Sequence, residues 1–564
     1  MVAEVRRGLE ASSEWAQVWS PAPGWIAAVK PLPGGAPDST RLLQGGVAFV
    51  EGRDVFSESM DVESPRFLER LDEELERRPL RLDRIGGDFG FIRFHSHGRA
   101  TVVRSCAGNV PLFVRPERDG VCVTTRLTAL WRHVPVAPEI DRLVEMTWVA
   151  WGGDPFNPRT IFRDTWAVPT GHLVRTGPRV PFRAERYWRV PARSSRLPDA
   201  DETSAHAERL RELLVATLDR DLAADGLNML TLSGGADSGS LAVLATRRLQ
   251  RRVGALSLVP PGGHPSTDHM VNLIQGPVTE AGLAPWMRVP WSNLKMLDLI
   301  DGGAQCAFPV LHGAFLSLPM VKYREPFCVL FGGEDADVVC GSELTLADWV
   351  AATPASAILR SQVGLPGRRA RWRWMRWRAA FAMGSWSPGE LSPRELPPWV
   401  HPDIRLEYRD RLQDVRERVV DHGEWPGLSY WLRRDTYITQ GWEVTAPLGI
   451  RRSLPFRGRE VLELAFSCHP SELIGPGYKK LLRAALRDDV PAAILDRPKD
   501  WWPHELAETY VWPHDRVLPA ELADFFAPES LPGPSATLPA DVALALTRVA
   551  VTMTHRRELR SAPP

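Results

Sequence analysis

The chain has 564 residues, enough for two to four domains that each bury a core of their own. Lys and Arg total 69, as do Asp and Glu, so the net charge is zero, which argues against a whole-chain binder of nucleic acid or membrane surfaces. Hydrophobic residues make up 44% of the chain, yet no apolar run is long enough to cross a membrane.

The cysteines and the N-terminal segment bear on the cellular compartment. None of the 6 cysteines has the C-x2-C spacing of a metal site, and no disulfide framework is apparent. The first seven residues lead into polar sequence and lack the apolar core of a signal peptide. We therefore predict a cytoplasmic protein with reduced thiols and no membrane span.

The first 190 residues are typical of a mostly β unit. Apolar runs at 89–94 and 100–104 flank a polar turn and predict a hairpin, and runs at 111–114 and 121–124 predict a second one. A further strand is predicted within 45–50, helices at 65–75 and 140–150, and a polar linker at 192–203.

From about residue 204 the pattern changes to helices alternating with short apolar strands. The spacing predicts helices at 205–218 and 240–249 and strands at 227–232, 253–259 and 327–331. Such alternation predicts a doubly wound parallel sheet. Residues 350–430 differ, because Arg and Trp interleave there before a Pro-rich stretch. That insertion could line a cleft for a peptide or form a helical hairpin that supports the core.

The strongest local signal is the segment Ser233-Gly234-Gly235-Ala236-Asp237-Ser238, which lies between a predicted strand and a predicted helix. Glycines allow a tight turn, and the N–H groups at a helix N-terminus can bind phosphate. An aspartate beside phosphate needs a cation between them, which Mg²⁺ supplies. The segment lacks the lysine of a Walker loop, and a plain turn rich in Gly and Ser is the alternative interpretation.

This segment resembles the pyrophosphate loop of the ATP-pyrophosphatase class, and the chain as a whole resembles the asparagine synthetase family. Its G-E-G-x-D element is matched by Gly333-Glu334-Asp335-Ala336-Asp337. The other matching elements are IGGDFGF at 85–91, RLTAL at 126–130, VPTGH at 168–172, RYW at 186–188, LPF at 454–456, KKLLRAA at 479–485 and LDRPK at 495–499.

The resemblance implies a two-domain fold that combines α+β and α/β parts. Residues 1–191 are expected to form a glutaminase-like (Ntn-type) β-sandwich with helices. Residues 203–564 are expected to form an ATP-dependent synthetase domain, whose doubly wound parallel sheet is of the ATP-pyrophosphatase type. The insertion at 350–430 belongs to this second domain.

The resemblance also implies site residues. Asp237 and Asp337 are expected to share Mg²⁺, and Lys499 to act on the α-phosphate and the tetrahedral intermediate. Catalytic roles also fall to Glu334, which would orient or deprotonate the nucleophile, and to Asp435 as a second acid, with an exposed helix Asp as its alternative. Lys479 and Lys480 are interpreted as surface charges. Contacts to ATP are expected from Leu232, Ser233, Gly234, Gly235, Asp237, Ser238, Leu258, Gly332 and Gly333.

Residue 2 departs from the glutamine-dependent members of the family. Those members carry a nucleophilic Cys after the initiator Met, whereas this sequence has Val2, and its first cysteine is Cys106. We therefore expect no glutamine cleavage, so that the amine comes from elsewhere. This points to relatives that close rings, namely lasso peptide cyclases and β-lactam synthetases.

The favoured function is ATP- and Mg²⁺-dependent macrolactam formation in lasso peptide biosynthesis. An Asp or Glu side chain of a precursor core peptide would be adenylated, and the peptide's N-terminal amine would attack it, with release of AMP and pyrophosphate. Glu334, where β-lactam synthetases carry Tyr, favours this choice. The alternatives are a small-molecule amide or β-lactam synthetase and a non-catalytic peptide-binding scaffold. A leader peptidase and a leader-binding protein are candidate partners.

Overall fold

A computed structural model describes the chain over the following residues. Side chains and backbone are described over most of 90–95, 98–117, 120–127, 139–151, 158–189, 196–259, 267–290, 327–341, 396–421, 450–475 and 477–497. Four short strands before residue 51 are described by backbone alone, and isolated positions are described elsewhere, including 75, 191, 194, 441–442, 445 and several between 520 and 553.

Among the described residues up to 190, the two larger antiparallel sheets are a four-stranded one of order β11-β10-β6-β5 and a three-stranded one of order β8-β7-β9, while β1 pairs with β2 and β3 with β4. Both predicted hairpins are confirmed, since β5 pairs with β6 and β7 with β8. Helix α1 spans Arg142–Trp151. The strands are β1 Gln17–Trp19, β2 Ala27–Val29, β3 Arg41–Leu42, β4 Phe49–Val50, β5 Gly90–Phe94, β6 Ala100–Arg104, β7 Phe113–Pro116, β8 Val121–Thr124, β9 Trp166–Ala167, β10 His172–Thr176 and β11 Ala184–Arg186.

The two sheets pack on one another through a shared apolar cluster. Ile92 and Val102 from the four-stranded sheet lie in the same buried group as Val114 from the three-stranded sheet. Burial along β5 and β7 does not alternate, since consecutive residues such as Phe113 and Val114 are both buried, so these strands are covered on both faces. The glutaminase-like assignment of this part stays a prediction.

The second part of the chain contains a parallel five-stranded sheet, which confirms the predicted mixed α/β architecture. Its order is β14-β13-β12-β15-β16, and each neighbouring pair is parallel. Successive strands are added to one side of β12 as far as β14 and then to its other side from β15, so the strand order reverses between β12 and β15. The strands are β12 Asn228–Thr231, β13 Val253–Val259, β14 Trp286–Pro290, β15 Val329–Gly332 and β16 Arg451–Ser453, and a small hairpin follows with β17 Ile474–Gly475 and β18 Gly477–Tyr478.

The helices of this second part lie before, between and after the strands of the sheet in chain order. They are α2 Ala200–Asp221, α3 Ala236–Val243, α4 Thr267–Ala281, α5 Ala336–Cys340, α6 Pro402–Asp421, α7 Arg459–Ser467, α8 Pro470–Leu473, α9 Lys480–Leu486 and α10 Ala492–Leu495, with a 3₁₀ turn at Pro455–Arg457. Across the described helices, none joins the length to the apolar sequence that crossing a bilayer requires.

The predicted start of α2 at residue 205 is wrong by five residues. Asp199 accepts a hydrogen bond from the Glu202 N–H at 2.8 Å, and the Glu202 carboxylate accepts one from the Asp199 N–H at 3.1 Å. This reciprocal capping satisfies two N–H groups that a helix start otherwise leaves unpaired. The helix therefore begins inside the stretch predicted as linker, and the division into domains 1–191 and 203–564 stays a prediction.

The β-rich part and the α/β part share a buried core. Two family-like elements, VPTGH and RYW, meet where the Gly171 carbonyl accepts hydrogen bonds from the N–H groups of Tyr187 and Trp188 at 3.0 and 3.2 Å. The Trp188 indole then donates to Glu463 on α7 at 2.9 Å, and Trp188 lies in the same apolar cluster as α2 and α7. These two sequence elements therefore act in packing the two parts together.

A buried ion pair, Arg457–Asp335, is a second contact between the β-rich part and the α/β part. The Arg457 guanidinium donates to Asp335 at 2.8 Å and to the Ala107 carbonyl of the β-rich part at 2.7 Å. Both side chains are almost fully buried, at 0% and 2% exposure. Asp335 has a φ of 67°, in the left-handed region that favours glycine, which is the residue that the resembling family carries there.

We expect Arg457→Leu to lower the free energy of unfolding by roughly 3–5 kcal/mol, because it leaves the Asp335 carboxylate buried without this partner. The double variant Asp335→Gly/Arg457→Leu should lose markedly less, since it removes the buried charge and places glycine at the positive φ. Urea unfolding followed by tryptophan fluorescence measures both. Equal losses in the two variants would show that the ion pair is not what stabilises this contact.

Candidate functional site

The glycine-rich segment forms a tight loop between β12 and α3. Gly234 has a φ of 79°, and Gly235 is the N-cap of α3, which begins at Ala236. The predicted helix start at residue 240 is therefore wrong, because the turn is completed within the loop itself. The Ser233 N–H donates to the Ser238 hydroxyl at 3.3 Å, so that the two hydroxyl groups lie across the loop from each other.

Arg497 holds this loop against α4. Its guanidinium donates from one nitrogen to the Gly234 carbonyl at 2.7 Å and to the Leu273 carbonyl at 2.6 Å. A side chain at Gly234 would also approach the Leu273 carbonyl and the Arg497 guanidinium to within 3.2 and 3.3 Å. The LDRPK element is expected to act in catalysis through Lys499. Its Arg497 also holds the glycine-rich loop in shape.

The loop after β15 packs directly on the first loop. A Cβ atom at Gly333 would lie 2.8 Å from the Asp237 Cβ and 2.9 Å from the Ser238 nitrogen. At Gly332 a Cβ would collide with the Glu334 carboxylate and the Thr231 hydroxyl. Close packing therefore accounts for glycine at both positions, while their predicted contacts with ATP stay predictions.

Two carboxylates from these loops meet at one ammonium group. The Lys479 amine donates to Asp337 Oδ1 at 2.8 Å and also to Asp237. Asp237 lies in the first turn of α3 and Asp337 in the first turn of α5, so each follows one of the two strands between which the order reverses. The structure thus brings Asp237 and Asp337 together around Lys479.

Lys479 is a functional candidate, and its interpretation from the sequence as a surface charge is wrong. Its side chain is only 10% exposed. Burial by itself would lower the pKa of Lys479, but the charges of Asp237 and Asp337 and their hydrogen bonds raise it to about 12. The neighbouring Lys480 is exposed, in agreement with its interpretation as a surface charge.

The Asp237–Asp337 pair has the ligand type and the charge that a divalent cation requires. Carboxylate oxygens are the ligands that Mg²⁺ prefers. Two carboxylates and one ammonium leave a net charge of −1, so the pair still attracts a further cation. Because the Lys479 amine lies between the two carboxylates, a metal ion and this ammonium compete for the same oxygens. Mg²⁺ binding by Asp237 and Asp337 stays a prediction.

Glu334 lies beside this cluster and has an unexpected partner. Arg452 on β16 donates to Glu334 Oε1 at 3.3 Å, and the Arg452 side chain is buried. The other oxygen, Oε2, is buried with no hydrogen-bond partner among the described residues. Arg452 carried no recognisable sequence signal, because it differs from its neighbour Arg451 only in which face of the short strand it occupies.

The remaining predicted site residues divide into two groups. Leu232 is buried directly after β12, and Leu258 is half-buried as the penultimate residue of β13, so both lie at the carboxyl edge of the sheet, near the two loops. Lys499 and Asp435 lie outside the described residues, as does most of the 350–430 insertion apart from 396–421. The catalytic roles of Lys499 and Asp435 stay predictions.

No protein-family model and no curated protein matches this chain. The resemblance to asparagine synthetases thus remains a prediction from motifs, and the functional argument rests on the geometry of the two loops, Lys479 and Glu334.

We expect Lys479→Gln to destabilise the protein while making its stability sensitive to Mg²⁺. The substitution leaves two carboxylates facing each other without their ammonium, at a cost of roughly 3–5 kcal/mol. Millimolar MgCl₂ should restore part of that loss and raise the melting temperature of this variant more than that of the wild type. Lys480→Gln is the matched control and should change stability by no more than about 0.5 kcal/mol.

The raised pKa of Lys479 also predicts how the stability lost in Lys479→Gln depends on pH. A lysine whose pKa rises from 10.5 to about 12 on folding contributes its full stabilisation below pH 10.5 and loses it as the pH rises through 12. The difference between wild type and Lys479→Gln should therefore be constant from pH 6 to pH 9. Two results would contradict the assignment of Lys479 as the buried ammonium between Asp237 and Asp337. One is a stability difference that changes strongly between pH 6 and pH 9, and the other is an equal effect of Mg²⁺ on Lys480→Gln.

Proposed function

We propose that this chain is an ATP- and Mg²⁺-dependent, AMP-forming amide ligase of the asparagine synthetase-like ATP-pyrophosphatase family. The observation that carries the proposal is the convergence of Asp237 and Asp337, from loops after neighbouring parallel strands, on one cation position. The strand order reverses between those two strands. In open α/β sheets, ligands bind in the crevice at the carboxyl ends of the strands at such a reversal.

The phosphates of the nucleotide would lie over the loop from Ser233 to Ser238. The N-cap residue Gly235 provides no side-chain hydrogen bond to the first turn of α3, and N–H groups at a helix N-terminus attract anions through hydrogen bonds and the helix dipole. The hydroxyl groups of Ser233 and Ser238 add donors, and the Gly234 carbonyl already accepts a hydrogen bond from Arg497. This arrangement favours polyphosphate over an uncharged ligand.

Asp237 and Asp337 would hold the Mg²⁺ ion. Bound there, the ion supplies positive charge that offsets the charge of the phosphates as the carboxylate of the substrate is adenylated. The Lys479 ammonium, which pairs with the same carboxylates in the structure, is then an additional positive charge beside the phosphates. Lys499, two residues beyond Arg497, is the proposed cation for the α-phosphate.

Glu334 would act on the amine that attacks the activated carboxyl group. Arg452 fixes one carboxylate oxygen, while the second has no partner among the described residues and so can accept a hydrogen bond from an amine. A carboxylate in that position orients a nucleophile and can take up its proton. Asp435 is the proposed second acid.

The amine is proposed to belong to the substrate itself, so that the product is a ring. In the β-rich part, Cys106 is buried in the core, and burial raises the pKa of Cys122 to about 11, so neither offers a ready thiolate for cleaving glutamine. We propose that the substrate is a lasso peptide precursor. Its Asp or Glu side chain is adenylated, its N-terminal amine closes the macrolactam, and AMP and pyrophosphate leave.

We expect Asp237→Asn to reduce ATP turnover by at least about 100-fold, because it removes one of the two carboxylates that the cation requires. Release of pyrophosphate in the presence of ATP, Mg²⁺ and substrate peptide measures the effect. Asp225→Asn is the matched control, since Asp225 is exposed and precedes the amino end of β12, away from the loops. Unchanged pyrophosphate release by Asp237→Asn would refute the site.

Incubation with ATP, Mg²⁺ and candidate precursor peptides should give a product that is lighter by one water, detected by mass spectrometry. Free β-amino acids tested in parallel distinguish a small-molecule synthetase, and peptide binding without any mass change would indicate a scaffold. Glutamine should release no ammonia under the same conditions. Ammonia release would show that the amine does not come from the substrate alone.

A further inference from the structure

Three potential metal ligands meet in a second cluster, apart from the two aspartates and Lys479. His206 lies on α2, Cys468 directly follows α7, and Glu472 lies on α8. The Nδ1 atom of His206, the Sγ atom of Cys468 and a carboxylate oxygen of Glu472 all lie within 4.8 Å of one another. Cys468 and Glu472 lie four residues apart in the chain, and the fold brings His206 to them from α2, more than 200 residues earlier.

The contacts in this cluster converge on one nitrogen atom. His206 Nδ1 lies 2.7 Å from Glu472 Oε2 and 3.7 Å from Cys468 Sγ. A ring nitrogen carries either one proton or one lone pair, so it cannot form two full hydrogen bonds to these atoms. A metal ion among the three atoms would instead accept a lone pair from each of them.

The burial of the ligands also suits a metal ion. The Glu472 side chain is 2% exposed and Cys468 is buried, whereas the His206 side chain is 37% exposed. Buried anionic groups are costly unless a cation neutralises them. The exposed side of His206 provides an entry path and room for a water ligand. The second oxygen of Glu472 accepts a hydrogen bond from the His469 N–H at 2.9 Å, which orients the carboxylate.

We propose that His206, Cys468 and Glu472 form a binding site for one Zn²⁺-class transition-metal ion, with water as the fourth ligand. Nitrogen, sulfur and oxygen donors together suit Zn²⁺, whereas Mg²⁺ prefers oxygen alone. On binding, the Cys468 thiol loses its proton to solvent and the neutral imidazole binds through Nδ1. This site is independent of the proposed ligase function.

The position of the site suggests a structural role. α8 leads into the β17–β18 hairpin, and that hairpin ends directly before Lys479. The end of α8 also packs tightly against the residue after α5, since a Cβ at Gly341 would lie 2.5 Å from the Leu473 carbonyl oxygen. A metal ion joining α2 to α8 would therefore fix the segment that positions Lys479.

The test uses Co²⁺ added to the chelator-treated full-length protein. Thiolate coordination should produce a sulfur-to-cobalt charge-transfer absorption at one equivalent of Co²⁺, and Zn²⁺ should abolish it by displacement. Cys468→Ser should remove the absorption. His206→Gln, at a partly exposed position that tolerates substitution, should weaken Co²⁺ binding by more than the 10–100-fold that loss of an outer-shell partner typically costs.

Two control variants locate the ion. Cys122→Ser should keep the absorption, which excludes the Cys122 thiol as its source, and Asp237→Asn should keep it, which separates this site from the two aspartates. Absence of the absorption in the wild type, or its persistence with unchanged affinity in both Cys468→Ser and His206→Gln, would overturn the proposal. Circular dichroism of each variant shows that it is folded.

Discussion

Three charges meet at the carboxyl edge of the parallel sheet, where Lys479 lies between Asp237 and Asp337. The two acids follow the strands β12 and β15, and Lys479 enters from a segment more than 100 residues further along the chain. Each loop can approach the other only because Gly333 leaves room for the Asp237 side chain. The parallel sheet, the two tight loops and the β17–β18 hairpin all have to be correctly placed for this one contact to form. Burial alone would lower the pKa of Lys479, whereas the two carboxylates raise it, so they keep the buried amine charged.

Local pattern predicted much of the fold. Strand β13 coincides with the predicted 253–259, and the hairpins β5–β6 and β7–β8 occur where apolar runs and turn residues predicted them. The errors concern helix starts. α2 begins at Ala200 because Asp199 and Glu202 cap it, and α3 begins at Ala236 because the glycine loop closes within four residues. Capping contacts depend on side-chain geometry, which hydrophobic spacing does not report.

The candidate site was predictable to the extent that it depends on motifs. Asp237, Asp337 and the glycines of the two loops were singled out from residue type and position, and the structure brings them together. Lys479 and Arg452 were not, because each has an identical residue beside it and only the backbone decides which one points inward. Lys479 has a φ of 65°, and this left-handed turn between β18 and α9 distinguishes it from the exposed Lys480. Such a choice is made by tertiary structure and leaves no trace in the composition of the segment.

The shared core around Trp188 also constrains how this chain can be divided. Trp188 is packed among apolar side chains of the α/β part, and Arg457 of that part donates to the backbone of the β-rich part at Ala107. A fragment starting at α2 would expose the apolar surface that Trp188 covers and would leave Arg457 without one of its acceptors. The β-rich residues thus complete the core of the α/β part. Shortening the chain to the parallel sheet alone would expose that apolar surface and yield an aggregation-prone protein.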